Sequence, residues 1–229
     1  FAEYVTVRED RALALKPANL TFEQAAAVSI AATTALQALR DKGRIRAGQK
    51  VLINGASGGV GTFAVQIAKS YGAEVTGVCS TRNVEMVRSI GADHVFDYTK
   101  EDFTRSGRRY DLIVDMVGNH PLSAYRRVLN PEGIFVIVGG PDGNWLGPMV
   151  SPIKALMLSP FVSQEFGMIL AQLKQEDLNI LSDLMQAGKV TPVIDRTYRL
   201  SEVPEAIRYL EEGHARGKVV INLEHDSKP

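Results

Sequence analysis

Short apolar runs alternate with amphipathic stretches along most of this chain. Each run is apolar without a break, which is typical of strands that are covered on both faces. Because amphipathic stretches separate these runs, the pattern predicts an α/β fold with a doubly wound parallel sheet. The six predicted strands are Lys50–Ile53, Glu74–Val78, His94–Phe96, Asp111–Asp115, Gly133–Val138 and Phe166–Leu173.

Capping residues and glycines mark where helices begin and end. A capping box at Thr21–Gln24 opens a helix over Ala25–Leu39, and Gly43 is its predicted left-handed stop. The other predicted helices are Gly59–Tyr71, Asn83–Ile90, Pro121–Leu129, Glu176–Gln186, a polar one near Lys100–Thr104, one from the N-cap Ser201 to about Glu212, and a turn near Ile153–Leu158. Further β character is predicted at Phe1–Val7, Val190–Leu200 and Lys218–Leu223.

One segment, Val51–Arg82, combines a strand, a glycine-rich turn, a helix and a second strand. This βαβ unit places free backbone N–H groups at a helix N-terminus, where a pyrophosphate binds well. We predict that Gly58 makes the tight turn and lets the pyrophosphate approach, and that Gly61 lets the helix pack on the strand. Ala56 stands where a strict G-x-G-x-x-G pattern has its first glycine.

The end of the second strand indicates which dinucleotide binds. NAD sites usually have an acidic residue there, which accepts hydrogen bonds from the ribose 2′-OH. This chain has Ser80, Thr81 and Arg82 and no carboxylate, a combination that suits a 2′-phosphate. We therefore predict NADP(H), preferred over NAD(H) by about ten- to a hundredfold for one charge-assisted contact. The alternative is that Arg82 is a solvated arginine at a helix start.

Ends of the other predicted strands supply further candidates, because ligands of open α/β sheets bind at carboxyl ends. Tyr98 follows the third strand and either contacts the adenosine end or is a plain surface residue. Backbone atoms near Val117 and at Val138–Gly140 are predicted to hold the nicotinamide ribose and carboxamide. Asp115 is equally well explained as a strand-end cap.

Composition excludes several classes of function. The 229 residues are 45% hydrophobic and 23% charged, with 26 basic and 26 acidic residues. This balance argues against a nucleic-acid partner and against a membrane-surface partner. Because Cys79 is the single cysteine, an intrachain disulfide and a cysteine-based zinc site are excluded, and we expect a buried thiol and a cytoplasmic location.

Catalytic and metal-binding motifs are missing from the sequence. The four histidines, His94, His120, His214 and His225, lie apart without metal-ligand spacing. There is no G-x-S-x-G elbow for a serine nucleophile. No tyrosine is followed four residues later by a lysine, which argues against a short-chain dehydrogenase. No catalytic acid or base can be assigned.

Several stretches together resemble one known family, the medium-chain dehydrogenase/reductases, and within it the zinc-free quinone oxidoreductase (zeta-crystallin-like) branch. The resemblance covers essentially the whole chain, in order. The matching stretches are Phe1–Val5, Ala25–Ala27 through Thr34, Ala38–Leu39, Gly55–Gly61, Gly91–His94, Asp111–Gly118, Gly133–Gly140 and Gly217–Val220.

This resemblance implies a Rossmann domain inserted into a GroES-like substrate domain. Residues 1–28 would be the end of the GroES-like domain, residues 29–188 the NADP-binding Rossmann domain, and residues 189–229 the return to the substrate domain. The chain would then lack roughly the first hundred residues of the family pattern, which is about the size of an ordinary domain. We expect it to be part of a longer protein or a trimmed product.

Zinc-dependent relatives have a metal-binding cysteine at the position that matches Ile30, so the resemblance implies the metal-free branch. It also places Thr34 near the nicotinamide and Arg216–Lys218 at the border of the cofactor cleft. The complete set of candidate cofactor-binding residues is Thr34, Asn54, Ser57, Gly58, Gly59, Val60, Gly61, Ser80, Thr81, Arg82, Tyr98, Val117, Val138, Gly139, Gly140, Arg216, Gly217 and Lys218.

The predicted function is NADPH-dependent hydride transfer, without a metal, to a quinone or an α,β-unsaturated carbonyl. Such acceptors are easily reduced and need no Lewis acid. Two alternatives stay open: a non-catalytic NADP(H)-binding module, and an alcohol dehydrogenase of the same superfamily. The resemblance also implies a homodimer joined through the edges of the Rossmann sheets.

Overall fold

Parallel strands dominate the computed structural model, which describes residues 2, 4–8, 12–138 and 163–223. Six of them form one sheet, and two more form a small separate sheet. The strands are β1 (Lys50–Asn54), β2 (Glu74–Cys79), β3 (His94–Asp97), β4 (Tyr110–Asp115), β5 (Leu129–Ile137), β6 (Glu165–Met168), β7 (Ile194–Arg199) and β8 (Lys218–Asn222).

Helices connect these strands and cover both faces of the large sheet. They are α1 (Phe22–Ala26), α2 (Ser29–Gln37), α3 (Gly59–Ser70), α4 (Val84–Ser89), α5 (Leu122–Val128), α6 (Gln175–Gln186) and α7 (Val203–Glu211). The predicted capping box is present, since the Thr21 hydroxyl accepts from the Gln24 N–H and the Gln24 side chain accepts from the Thr21 N–H.

The strand order in the large sheet is β3-β2-β1-β4-β5-β6, and every neighbouring pair is parallel. This confirms the predicted doubly wound fold. The connection reverses direction between β1 and β4, so a crevice opens at the carboxyl ends of these two strands. In folds of this kind, ligands bind in this crevice.

Successive residues of the central strands enter two different hydrophobic clusters. In β4, Leu112 and Val114 face the cluster with Leu36, Phe63 and Ile67, whereas Ile113 faces Tyr125 and Phe135 on the other side. All of these side chains are at most 2% exposed. Because both faces are buried, the middle positions of β1 and β4 are apolar on both sides and do not alternate with polar residues.

The small sheet, β7 with β8, packs beside the glycine-rich turn of the large sheet. Two reciprocal hydrogen bonds fix it to α3: the Gln66 amide donates to the Thr191 carbonyl at 3.0 Å, and the Thr191 N–H donates to Gln66 Oε1 at 2.8 Å. Because β8 pairs with β7, the segment before β8 also lies near α3, and the Gly217 N–H donates to the Ser57 carbonyl just before this helix.

The helix predicted over Ala25–Leu39 is wrong as a single element. Around Ala27 the chain tightens, with the Val28 N–H bonded to the Ala25 carbonyl, and α2 then begins at Ser29. After α2 a wide π-type turn leads to Gly43, which has a φ of −79°. The left-handed residue is Arg44, with a φ of 47°. Gly43 is required instead by packing, because a Cβ there would lie 2.7 Å from Leu112 Cδ2.

Three smaller predictions about secondary structure also need correction. The described residues of Phe1–Val7 form no strand, and Tyr4 and Val5 are more than 80% exposed, because no described strand pairs with them. The helix near Lys100–Thr104 is only a 3₁₀ turn over Phe103–Arg105, which Asp102 caps. Ser201 lies in a 3₁₀ turn, and Glu202 occupies the N-cap of α7.

The sixth strand is shorter than predicted, since β6 ends at Met168. The predicted turn near Ile153–Leu158 lies outside the described residues.

Candidate functional site

The glycine-rich turn after β1 is tightest at Gly55, which has a φ of 89°. The N–H groups of Gly55 and Ala56 both donate to the Val78 carbonyl, at 3.2 and 3.0 Å, so the turn is fixed to β2. The prediction that Gly58 makes the tight turn is therefore wrong, because its φ is −82° and its ψ is 178°, an extended conformation open to any residue.

Gly61 and Gly58 have different roles, because Gly61 is closely packed and Gly58 borders open space. A Cβ on Gly61 would lie 2.0 Å from the Gly55 carbonyl oxygen, so the helix can sit on the turn only with glycine there. A Cβ on Gly58 would meet only the Gly55 oxygen, at 3.5 Å. The space in front of Gly58 is thus free for a ligand, next to the unpaired N–H groups of the first turn of α3.

Lys218 lies against this helix start. The Gly217 N–H donates to the Ser57 carbonyl at 2.8 Å, and a Cβ on Gly59 would lie 3.6 Å from Lys218 Nζ. Burial lowers the pKa of Lys218, and in the described part of the chain no carboxylate pairs with it. A half-buried ammonium group beside a helix N-terminus fits a phosphate group. The predicted stretch Arg216–Lys218 therefore lies beside the start of α3, and its role in cofactor binding stays a prediction.

On the β2 side of the cleft, formed by the ends of β1, β2 and β3, a buried amide joins two predicted residues. The Asn83 amide donates to Ser57 Oγ and to Ser80 Oγ, both at 3.1 Å. The sequence analysis missed Asn83, because an asparagine at a helix start is ordinarily a cap.

Thr81 is an exposed residue on the same side, but its hydroxyl is bonded within the protein. Its hydroxyl donates to Asp97 Oδ2 at 2.6 Å and lies 2.9 Å from the Thr99 hydroxyl. Asp97 ends β3 and is opposite Cys79 in the ladder, so a carboxylate does lie near the end of β2. Hydrogen bonds from Thr81 and Thr99 hold the pKa of Asp97 well below its usual range, and Lys100 pairs with it at 3.2 Å.

Arg82 and Tyr98 lie at the rim. The guanidinium group of Arg82 donates to the His214 carbonyl and so connects the end of β2 to the segment before β8. Tyr98 is 59% exposed, and its N–H donates to the Cys79 carbonyl at 3.1 Å.

On the β4 side of the cleft, formed by the ends of β1, β4 and β5, a buried network closes the floor. The Asn54 amide donates to Asp115 Oδ1 at 2.8 Å, to Asn119 Oδ1 at 3.0 Å and to the Tyr125 hydroxyl at 3.2 Å. Burial raises the pKa of Tyr125 above its ordinary value. The amide of Asn54 is thus used inside the protein, and its backbone carbonyl accepts from the Met116 N–H at 3.1 Å.

Asp115 fixes the turn that follows β4. Its Oδ1 accepts from the N–H groups of Val117 and Gly118, both at 3.1 Å, which corresponds to the strand-end cap that the sequence left open. A Cβ on Gly55 would lie 2.9 Å from Val117 Cγ2, so this turn packs directly against the glycine-rich turn.

The remaining predicted residues are placed as follows. The Thr34 hydroxyl donates to the Ile30 carbonyl at 2.7 Å within α2. The Val138 N–H donates to the Asp115 carbonyl at 2.8 Å, and the Arg216 N–H donates to Asp195 Oδ2 at 2.9 Å. Gly139 and Gly140 lie outside the described residues.

Residues 2, 4–8, 12–138 and 163–223 contain a buried cysteine and neither a cluster of metal-binding side chains nor a helix that could span a membrane. Cys79 is buried, and burial raises the pKa of its thiol to about 11. There, no three His, Cys, Asp or Glu side chains come together as a metal site. None of the described helices has the length and hydropathy to cross a bilayer.

Known proteins resemble this chain over nearly all of its length. A family model described as zinc-binding dehydrogenase matches residues 90–221. The mouse protein named NAD(P)H oxidoreductase RTN4IP1, mitochondrial, is 37% identical over 97% of this chain and 61% of its own length. The tomato 2-methylene-furan-3-one reductase is 36% identical over 96% of this chain and 52% of its own length.

Among solved structures, the quinone oxidoreductase from Coxiella burnetii superposes with a TM-score of 0.80 at 31% identity. That match covers 91% of this chain and 63% of the other. The chain thus spans between half and two thirds of the proteins it resembles. The matched model, the sequence identity and the shared fold together show that this chain belongs to the zinc-binding dehydrogenase family of the medium-chain dehydrogenase/reductases.

Proposed function

We propose that this chain binds NADP(H) and takes part in hydride transfer to a quinone or an α,β-unsaturated carbonyl, without a metal. The observation that carries the proposal is the half-buried ammonium group of Lys218 beside the first turn of α3, where Gly58 leaves open space. A helix N-terminus with an unpaired cation beside it favours an anion such as a pyrophosphate.

Preference for the phosphorylated dinucleotide rests on the β2 side of the cleft. Ser80 and Arg82 are both able to donate hydrogen bonds, and a 2′-phosphate only accepts them at neutral pH. The nearby Asp97 does not oppose a phosphate strongly, because Thr81, Thr99 and Lys100 already surround its carboxylate. An isolated carboxylate facing the cleft would favour the unphosphorylated form instead.

The proposed acceptor follows from the relatives and from the residue at position 30. The names of two relatives mention a quinone and a methylene-furanone, which are both easily reduced. Ile30 is 58% exposed in the first turn of α2 and has no atom that binds a metal. When bound, NADPH would supply the hydride, while this chain holds its phosphates at the start of α3 and orients its ring end at the carboxyl ends of β1 and β4.

The first test is a binding titration followed by a turnover assay. Adding NADPH to the protein should enhance cofactor fluorescence to saturation, and a small 1,4-quinone should then oxidise the NADPH. Arg82→Ala should weaken NADPH about tenfold or more and leave NADH nearly unchanged, since one charge-assisted contact is lost.

The Arg82 variant also tests the opposite explanation. In this structure Arg82 donates to the His214 carbonyl, so it is also a link between two segments. Equal losses of NADPH and NADH affinity, with a lower thermal midpoint, would assign Arg82 to structure and remove it from the phosphate site. No NADPH binding by the unaltered protein would reject the proposed function itself.

A second candidate is an NADP(H)-binding module without turnover of its own. It is favoured by the 61% coverage of the mouse relative, because part of that protein has no counterpart in this chain. Tight NADPH binding with no quinone reduction, in both this chain and a version extended to the length of its relatives, would support it. Stoichiometric zinc in elemental analysis would instead favour an alcohol dehydrogenase.

We further propose the domain division at residues 1–28, 29–188 and 189–229, which the separate sheet of β7 and β8 supports. A homodimer through the outer edge of β6 is proposed because β6 is the last strand of the large sheet. Light scattering that gives a monomer would reject the dimer. The cytoplasm is the proposed location, and a mitochondrial one is the alternative that the name of the mouse relative raises.

A further inference from the structure

We propose that Asn83 is a positioning residue that sets the preference for the phosphorylated cofactor by orienting the hydroxyl groups of Ser57 and Ser80. The inference rests on the proposed function, since it concerns the same cleft. Its starting point is geometric: one buried amide donates to two serines that belong to different turns, at 3.1 Å each.

Asn83 does not behave as an ordinary helix cap. It occupies the N-cap of α4, where an asparagine side chain usually accepts from the first turn of the helix, yet it makes no such bond. The side chain is instead directed toward the cleft, and the residue is only 4% exposed. Capping α4 therefore does not explain why an asparagine is present.

The surroundings of the carbonyl oxygen of Asn83 indicate that its NH₂ group is the donor in both hydrogen bonds. Asn83 Oδ1 is buried and has no partner within the part of the chain that the structure describes. Turning the amide over would leave its NH₂ group buried without an acceptor. A buried carbonyl without a partner is tolerated more often than a buried N–H without one, so the observed orientation, with the amide donating, is preferred.

Donation by Asn83 decides what the serines can offer to a ligand. A hydroxyl oxygen that accepts from Asn83 keeps its own O–H free to donate. Ser57 lies in the glycine-rich turn, beside the proposed diphosphate position, and Ser80 directly follows β2, on the side proposed for the 2′-phosphate. Phosphate oxygens only accept at neutral pH, so Ser57 is held in the state that the diphosphate of either cofactor needs, and Ser80 in the state that only the 2′-phosphate of NADPH requires. A ribose 2′-OH makes no such demand, because it can donate as well as accept.

Two substitutions separate this role from simple packing. Asn83→Leu keeps a similar volume and removes both donors, and we expect it to weaken NADPH about tenfold while NADH changes by less than about threefold. Asn83→Asp keeps the shape but only accepts, so each serine must donate inward. We expect it to weaken NADPH about a hundredfold, which includes the repulsion between two negative groups.

A mutant cycle tests whether Asn83 acts through the two serines, and a separate variant controls for the added charge of Asn83→Asp. In a Ser57→Ala, Ser80→Ala background, Asn83→Leu should cost NADPH affinity less than about twofold, because the hydroxyl groups through which it acts are gone. Asn179→Asp, an exposed position on α6, adds the same charge away from the cleft and should change neither cofactor. Binding is measured by titration of cofactor fluorescence, and folding by the thermal midpoint.

The outcomes are distinct. A selective loss for NADPH that disappears in the double-serine background supports the inference. Equal losses for NADPH and NADH, or a full additional loss without the serines, would overturn it and leave Asn83 as a bridge between two turns. If the unaltered protein binds no NADPH, the proposed function fails first, and the inference fails with it.

Discussion

The two sides of the cleft are built in opposite ways. On the β2 side, Ser80 and Arg82 lie at the surface and have donors that can turn toward a ligand. On the β4 side, Asn54, Asp115 and Tyr125 are buried, and their hydrogen bonds are made with each other and with the turn after β4. One side presents side chains, and the other presents a fixed backbone surface.

This difference implies a division of roles. Side chains at the rim can change without disturbing the sheet, so the β2 side is where cofactor preference can be adjusted. The β4 network lies between the two turns at Gly55 and Val117, so altering it moves both walls of the cleft at once. We therefore expect substitutions on the β4 side to act on stability and those on the β2 side to act on affinity.

Asp115→Ala is expected to have the largest effect on stability. It removes one of the three acceptors of the Asn54 amide and leaves the N–H groups of Val117 and Gly118 without the carboxylate oxygen that they share. Each buried donor that is left without an acceptor costs about 1–3 kcal/mol. Because water can replace part of the lost bonding at this turn, we expect Asp115→Ala to lower the free energy of unfolding by about 2–4 kcal/mol. Unfolding in urea, followed by circular dichroism, measures it.

Tyr125→Phe is the matched control for that network. It keeps the aromatic packing against Phe135, whose ring centre lies 4.6 Å away, and removes only the hydroxyl. The expected loss is about 0.5–1.5 kcal/mol. If Asp115→Ala were as mild as this control, the β4 side would be no more rigid than the β2 side, and the proposed division would be wrong.

Lys218→Met is expected to have the next largest effect, and the effect is on binding. The variant keeps the aliphatic packing on Gly59 and removes a charge that burial already disfavours. NADPH affinity should fall about tenfold or more, since a charge-assisted contact is lost, while the free energy of unfolding should not decrease. Lys50→Met, at the opposite edge of the sheet, should leave affinity unchanged.

The same lysine should make binding depend on pH. Burial lowers the pKa of Lys218 in the free protein, and a bound phosphate would raise it again. Between the lowered value and the usual value of about 10.4, binding therefore takes up a proton, and the dissociation constant rises with pH. Calorimetry in buffers of different ionisation enthalpy detects this proton, and Lys218→Met should abolish it. A proton uptake that persists in the variant would point to another group.

The succession of strands and helices along the chain could be predicted from the sequence, because strands that are buried on both faces are runs of apolar residues. Val51–Ile53 and Leu112–Val114 are apolar without interruption, and glycines end the helices between them. The break near Ala27 and the left-handed Arg44 left no such trace. They depend on how α2 packs against the sheet, which local propensity does not contain.

From the sequence, the backbone features of the candidate site were easier to bring together than the side-chain contacts. The glycine-rich turn and the neighbouring Lys218 come from a local motif and a family resemblance, and both border the cleft. The contacts of Asn83 and Asp97 depend on which strands are neighbours. Asp97 approaches Thr81 only because β3 pairs with β2, which spacing along the chain does not indicate.

Thr81→Val should have the smallest effect and is the sharpest test of the β2 side. The sequence places Thr81 with Ser80 and Arg82 as a phosphate ligand, whereas in the structure its hydroxyl is used by Asp97 and Thr99. Valine keeps the branched shape, and Asp97 keeps its bonds from the Thr99 N–H and hydroxyl. We therefore expect the ratio of NADPH to NADH affinity to change by less than about twofold, against about tenfold for Ser80→Ala. A tenfold loss in Thr81→Val would mean that the hydroxyl leaves Asp97 when the cofactor binds, and that the β2 side rearranges around its ligand.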